Sequence, residues 1–243
     1  MPQLYRPAWN GFPDVAIVAD ERPVKAHPEY MQAKAGNVDD AAPAAKRLSA
    51  HFVSSESLER IRRLPVEGAF LVPVHAIEGG GFNRIPGAFA ELLAEKLNAE
   101  VETDIVQANI VNHTGASGWA RMARPPMFSG DVVVGRNYVL VDDFVGQGGT
   151  LANLRGHIIN EGGLVGGAIT LTGKPYSAKL ALLPETLQAL RAKHGQEIEN
   201  WWRGHFGHGF EGLTESEARY LVRAEDADTI RAKLSQAGFA GND

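Results

Sequence analysis

The chain has 243 residues, a net charge of −5, 44% hydrophobic residues and no cysteine. That length allows one large domain, or a domain with an appended subdomain, around a sizeable core. The acidic balance disfavours a broad nucleic-acid footprint, which needs a basic surface. The lack of cysteine excludes disulfides, thiolate zinc sites and cysteine nucleophiles.

The first residues, MPQLYRPAWNGFP, show no basic stretch followed by an apolar run, so no signal peptide is expected. No apolar run nears the roughly 18 residues of a membrane span. The expectation is a soluble cytoplasmic protein with no membrane or nucleic-acid partner. After an irregular start, Val15 to Ala19 reads as a candidate edge strand. Helices are predicted around Glu29 to Ala35, Ala42 to Phe52 and Ser57 to Leu64, the last with Ser57 as N-cap before Leu58 and Ile61. Nine Lys and Arg balance nine Asp and Glu within residues 1–68, as on a solvated helical surface.

From Ala69 the pattern changes. Ala69 to Ile77 reads as a buried strand, Glu78 to Arg84 as a glycine-rich loop, and Pro86 as part of the first turn of a helix running to about Asn98. A strand is predicted near Thr103 to Asn109. The polar, proline-bearing stretch 112–130 is too long for a routine connection and reads as a functional loop or as disordered. Tyr138 to Asp142 is a second buried strand, followed by a glycine-rich turn, a helix to about Glu161 and a strand over Val165 to Thr172. This alternation predicts a parallel sheet covered on both faces. The last third is mainly helical, over Pro184 to His194, Glu197 to Phe206 and onward from Thr214, which has capping-box spacing to Glu217.

The chemistry concentrates in Val139-Leu-Val-Asp-Asp-Phe-Val-Gly-Gln-Gly-Gly-Thr-Leu151. A buried strand ends in two adjacent carboxylates at the carboxyl edge of a parallel sheet, where such folds bind ligands. Three glycines then let the backbone approach an anion, Thr150 adds a hydroxyl, and the next helix aims its N-terminal amides at the same place. Carboxylates beside an anion nest suit a ligand that brings hydroxyls or a cation together with a phosphate. The loop is neither a Walker A sequence nor a dinucleotide GxGxxG.

These residues resemble the 5-phosphoribosyl-1-pyrophosphate (PRPP) signature of the type I phosphoribosyltransferases. The resemblance implies an α/β fold, a parallel sheet flanked by helices, with helical N-terminal and C-terminal additions. Residues 69–180 would form the PRPP-binding core. Residues 1–68 would be a helical extension and possible hood, and residues 181–243 a helical region packed on the core. Asp142 and Asp143 would bind the ribose hydroxyls and organise Mg2+. Gly146, Gln147, Gly148, Gly149 and Thr150 would cradle the 5-phosphate, with Val145 in the same substrate-binding segment and Phe144 near any bound base. The loop containing His75, Ala76 and Glu78, with Arg84, would meet the pyrophosphate. The 112–130 stretch would be the catalytic loop, with Arg121 and Arg124 neutralising the leaving group, and Lys174 would approach the base. Gly146-Gln147 stands where family members often carry Thr-Thr. It lacks the acid that serves as general base in 6-oxopurine enzymes, which counts against that substrate class.

The implied activity is transfer of the phosphoribosyl group to an unidentified nucleobase or other nitrogen acceptor, in a homodimer. The alternative is a PRPP-sensing regulator without turnover. His205, His208 and Glu211 have a spacing open to a metal site but read better as packing and surface residues. Trp201 and Trp202 read as packing for the C-terminal helices.

Overall fold

The structure, a computed structural model, describes residues 4–35, 38–75, 77–78, 81–109, 111 and 116–239. In chain order it opens with strand β1 (Ala16–Asp20), helices α1 (Glu21–Ala26), α2 (Tyr30–Ala35), α3 (Val38–Phe52) and α4 (Ser55–Ile61), and strand β2 (Phe70–Pro73). Two short strands, β3 (Ile77–Glu78) and β4 (Gly81–Phe82), precede α5 (Ile85–Leu97) and β5 (Glu100–Val101). Strand β6 (Val106–Gln107), α6 (Gly118–Ala123) and β7 (Phe128–Ser129) follow. Strand β8 (Asn137–Val145), α7 (Gly149–Asn160) and β9 (Leu164–Gly173) complete the sheet region, and α8 (Pro184–Phe206), α9 (Glu215–Val222) and α10 (Ala227–Phe239) end the chain.

The main sheet has the order β1-β9-β8-β2-β5, and every pairing in it is parallel. Side chains of β8 alternate between its two faces, as strand geometry requires. Val139 and Val141 join the cluster formed with Phe89 and Leu93 of α5 and Leu48 of α3. Tyr138 and Leu140 join the opposite cluster with Leu151, Leu154 and Ile158 of α7. Helix α5 thus leads from β2 toward one edge and α7 from β8 toward the other, on opposite faces. The order reverses between β2 and β8, and the carboxyl ends of those strands open a crevice of the kind that binds ligands in such sheets.

Several sequence-based expectations shift. The edge strand expected over Val15 to Ala19 is β1, paired with β9, and it joins the main sheet, which the helical reading of residues 1–68 assigns to the core. Strand β2 is shorter than the expected Ala69 to Ile77: it ends at Pro73, after which the Val74 N–H still donates to the Val141 carbonyl of β8 at 2.8 Å. The segment expected as a strand over Thr103 to Asn109 keeps only β6, which pairs with β7 outside the main sheet, whereas the edge position beside β2 belongs to β5. Ser54, not Ser57, caps α4: Ser57 is the third helical residue, and each serine hydroxyl accepts from the other's backbone N–H. The 112–130 stretch carries α6, capped by Ser117, and β7. The expected break between two C-terminal helices falls at Gly195, inside α8.

The N-terminal segment preceding β1 is a strap. Arg155 of α7 donates to the carbonyls of Pro7 and Ala8, each at 2.9 Å, and Trp9 Nε1 donates to the Leu213 carbonyl at 2.6 Å. The Leu4 N–H meets the Phe206 carbonyl at 3.0 Å. A Cβ on Gly156 would overlap the Tyr5 carbonyl oxygen, so only glycine lets the strap cross α7 there. A third cluster, including Trp202, Phe206, Phe210, Leu221 and Ile230, binds α8, α9 and α10 together and takes Met122 of α6. No helix among the described residues is long and apolar enough to cross a membrane.

Candidate functional site

The carboxyl end of β8 builds the site. Asp142 and Asp143 are 7% and 8% exposed, because the strand is paired on both sides before it emerges. The Asp143 N–H donates to Asp142 Oδ1 at 2.8 Å. Burial, and next the like charge of Asp143, hold the Asp142 carboxyl well above the usual carboxylate range. Lys34 of α2 donates to Asp143 Oδ2 at 2.7 Å.

The chain then turns through the glycine loop into α7. Gly148 is the N-cap at φ 80°, and a Cβ there would overlap Leu180 Cδ2, so both conformation and space require glycine. The loop is held from behind. Arg6 of the strap donates to Glu217 of α9 at 2.7 Å, to Asn153 Oδ1 at 2.5 Å and to the Gly149 carbonyl at 3.3 Å. Glu217 also accepts from the Thr214 N–H at 2.9 Å in the expected capping box, and the Thr214 hydroxyl donates to the Gln147 carbonyl at 2.6 Å. The Asn153 side chain donates to the Pro126 carbonyl at 2.9 Å. Strap, α7, α9 and the stretch leading to β7 thus meet in one buried polar network behind the glycine loop.

A cavity of about 240 Å³ opens in front of it. Every residue from Asp142 through Thr150 lines it, as does Arg121 of α6. A Cβ on Gly146 would lie 3.0 Å from an Arg121 guanidinium nitrogen, which places that cation over the loop. The side-chain amide of Gln147 faces the start of α6, and neither amide atom has a hydrogen-bond partner among the described residues. Lys25, Tyr30 and Lys34, from α1 and α2, complete a cationic wall, with Lys25 Nζ 4.8 Å from the Phe144 ring centroid.

Other expected site residues stand apart. Arg124 caps the end of α6 and does not line this cavity. Lys174 ion-pairs with Glu21 and is also outside it. His75 and Arg84 line a smaller neighbouring hollow with Lys46 and Glu91, and Asn83 borders both spaces. Burial, followed by the Arg84 charge, lowers the His75 pKa and keeps the imidazole neutral. Ala76 lies outside the described residues, and Glu78 is described only as backbone in β3.

Two adjacent carboxylates are hard oxygen donors that suit magnesium. A divalent cation would favour the ionised form of Asp142 that burial disfavours. Lys34 already supplies one positive charge there, so a metal would share or displace it. Among the described residues, no cluster of three or more histidine or acidic side chains is arranged to hold a metal. His205 stacks on Trp201, His208 is buried against the Gly209 carbonyl, and Glu211 pairs with Arg203.

Lys25, Lys34 and Arg6 escape a sequence reading because none sits in a recognisable spacing, and Glu217 is legible only as a cap partner. They reach the site through the chain's path. Only the Thr214–Glu217 spacing gave a signal, and it announced a helix cap, not a site.

No family model matches the chain. It is 38% identical over 233 residues to "Protein TraN" of Escherichia coli, covering 96% of this chain and 51% of that protein. It is 40% identical over 161 residues to an uncharacterized protein of Haemophilus influenzae, covering 65% of this chain and 35% of that one. The chain therefore spans about half, or less, of the length of the curated relatives it matches. Among solved structures, it overlaps UMP synthase of Leishmania donovani with a TM-score of 0.34 and 14% identity, covering 79% of this chain and 33% of that one. It overlaps adenine phosphoribosyltransferase of Thermoanaerobacter pseudethanolicus with a TM-score of 0.32 and 14% identity, covering 56% and 87%. Overlaps this shallow decide nothing about the fold, which rests on the parallel order β1-β9-β8-β2-β5 and its helix-covered faces.

Proposed function

We propose that the chain binds PRPP with magnesium and transfers its 5-phosphoribosyl group to a nitrogenous base, releasing pyrophosphate. One observation carries the reading: two buried, adjacent carboxylates run directly into a helix-capping glycine loop, and both line one cavity with Arg121 and Lys34. Carboxylates accept from ribose hydroxyls. Loop amides at a helix N-terminus hold a phosphate. Arg121, over Gly146 at the cavity, would supply positive charge to the departing pyrophosphate.

In the reaction a lone pair on the acceptor nitrogen forms the bond to the anomeric carbon. The carbon–oxygen bond to pyrophosphate breaks with its electron pair leaving on that oxygen, and any proton on the attacking nitrogen passes to water. The transition state has oxocarbenium character, so the protein's work is positioning and electrostatic stabilisation. Magnesium, when bound, supplies positive charge to the pyrophosphate.

Calorimetric titration of PRPP with and without magnesium tests the site, and pyrophosphate release across a panel of bases tests turnover. Tight binding only with magnesium, and release with one base, are expected. Equal affinity in EDTA, or no binding at all, overturns the reading. Magnesium-dependent binding without release on any base selects a PRPP-sensing regulator instead.

A further inference from the structure

The same cavity carries information about its acceptor, and the inference rests on the PRPP reading above. Phe144 follows the two carboxylates and lines the cavity, where its ring offers a flat apolar surface on which a base could stack. That ring is not bare. Lys25 reaches over it with Nζ 4.8 Å from the centroid. Lys25 also donates to Glu21 at 2.6 Å, and Lys174 pairs with the same glutamate. Two lysines therefore share one carboxylate, a sum of one net positive charge spread over Lys25 at Phe144 and Lys174 outside the cavity. Glu21 is held below its usual pKa by Lys174 and Lys25, so its charge is fully counted in that sum. Lys34 on the same wall is committed to Asp143 and does not offset it.

A neutral ring stacking on the face of Phe144 that Lys25 covers exchanges the cation–π contact for a stacking contact of similar size and gains no charge partner. A ring bearing a carboxylate replaces the lost cation–π contact with an ion pair to the same ammonium. We infer that the acceptor is a flat nitrogen heterocycle carrying a carboxylate, stacked on Phe144 and held by Lys25. Lys25 is then the residue that selects acid over amide, and Glu21 moderates it by competing for the same charge.

The test uses protein saturated with ribose 5-phosphate, which fills the loop but has no leaving group. Nicotinate and nicotinamide are titrated against it calorimetrically, sharing a ring and differing in one charge. Nicotinate is expected to bind at least about tenfold more tightly, the effect of one partly desolvated charge pair. That ratio should fall toward unity in Lys25→Met, which keeps the aliphatic stem on Phe144, and should rise in Glu21→Gln. Magnesium-dependent PRPP binding is measured in parallel. PRPP binding together with equal or tighter binding of the amide, no binding of nicotinate, or an unchanged ratio in Lys25→Met overturns the acceptor assignment alone. Failure of PRPP to bind overturns the site reading and this inference with it.

Discussion

Arg6 and Glu217 lie 211 positions apart in sequence and meet at 2.7 Å, with side chains only 6% and 3% exposed. The pair ties the N-terminal strap to α9, and the same guanidinium reaches the Gly149 carbonyl in the glycine loop at 3.3 Å. Removing one member strands the other's charge in the interior. Arg6→Ala is therefore expected to destabilise the protein by about 3–5 kcal/mol. Arg6→Ala with Glu217→Ala should cost less than the two singles added, by about 0.5–3 kcal/mol. Urea denaturation of the four proteins measures this, and strict additivity would show the pair uncoupled.

Two glycines with positive φ separate backbone strain from steric conflict. Gly135, at φ 74°, has open space where a Cβ would go, so Gly135→Ala should cost only the left-handed penalty of about 1–2 kcal/mol. Gly148 at φ 80° adds the overlap with Leu180. Gly148→Ala should cost clearly more and should also weaken ribose 5-phosphate binding by distorting the loop. Equal losses in chemical denaturation would argue against the tight seat of this loop.

Asp142, which the proposed function makes a site residue, is a carboxyl buried against its ionisation. Burial and Asp143 raise its pKa, so ionisation in the folded state is costly. Asp142→Asn keeps an oxygen to accept from the Asp143 N–H and removes that cost. The variant should melt at a higher temperature than the parent while losing at least about tenfold in PRPP affinity with magnesium, since a charged hydrogen bond contributes roughly 1.5–3 kcal/mol. Unchanged affinity would remove Asp142 from the site.

Arg121 and Arg124 look equivalent in the sequence and are not equivalent in space. Arg121 lines the cavity beside Gly146, and Arg124 does not line it. Arg121→Ala should lower the turnover number at least about tenfold, or roughly 1.4 kcal/mol of transition-state stabilisation, with a smaller effect on PRPP affinity. Arg124→Ala should have much less effect. Equal effects on turnover would mean that α6 moves during the reaction.

His208 contributes to the pH dependence of stability. Burial first, then the Arg6 charge, lower its pKa from 6.5 to about 3. Nδ1 lies 2.9 Å from the Gly209 carbonyl, which suits a neutral ring donating that proton. Below pH 6.5 the unfolded chain takes up the proton and the folded chain does not. Stability is therefore complete above that pH and declines as pH falls toward 3, by about 1.4 kcal/mol per unit from this group. Denaturation curves at pH 7 and pH 5 should show a smaller difference for His208→Gln than for the parent.

The sequence by itself determined the local chemistry. Val139 to Leu151 shows strand, carboxylates, glycine turn and helix start in contiguous residues. Each of those features depends on neighbours a few positions away, through strand alternation, glycine conformational freedom and exposed helix-terminal amides. The Thr214–Glu217 cap was legible for the same reason. Tertiary structure alone decided what faces that loop. Lys34 reaches Asp143 across 109 positions and Arg6 reaches Glu217 across 211. Ser57 looked like a cap until Ser54 took the role. Of two arginines three positions apart, only Arg121 lines the cavity. Such choices follow from packing: the strap crossing α7 at Gly156, and α6 seated on the C-terminal helices through Met122, select which distant charges meet the loop. Long-range charge pairs leave no periodicity in a chain, because they arise where separate elements are brought together by burial of their apolar faces.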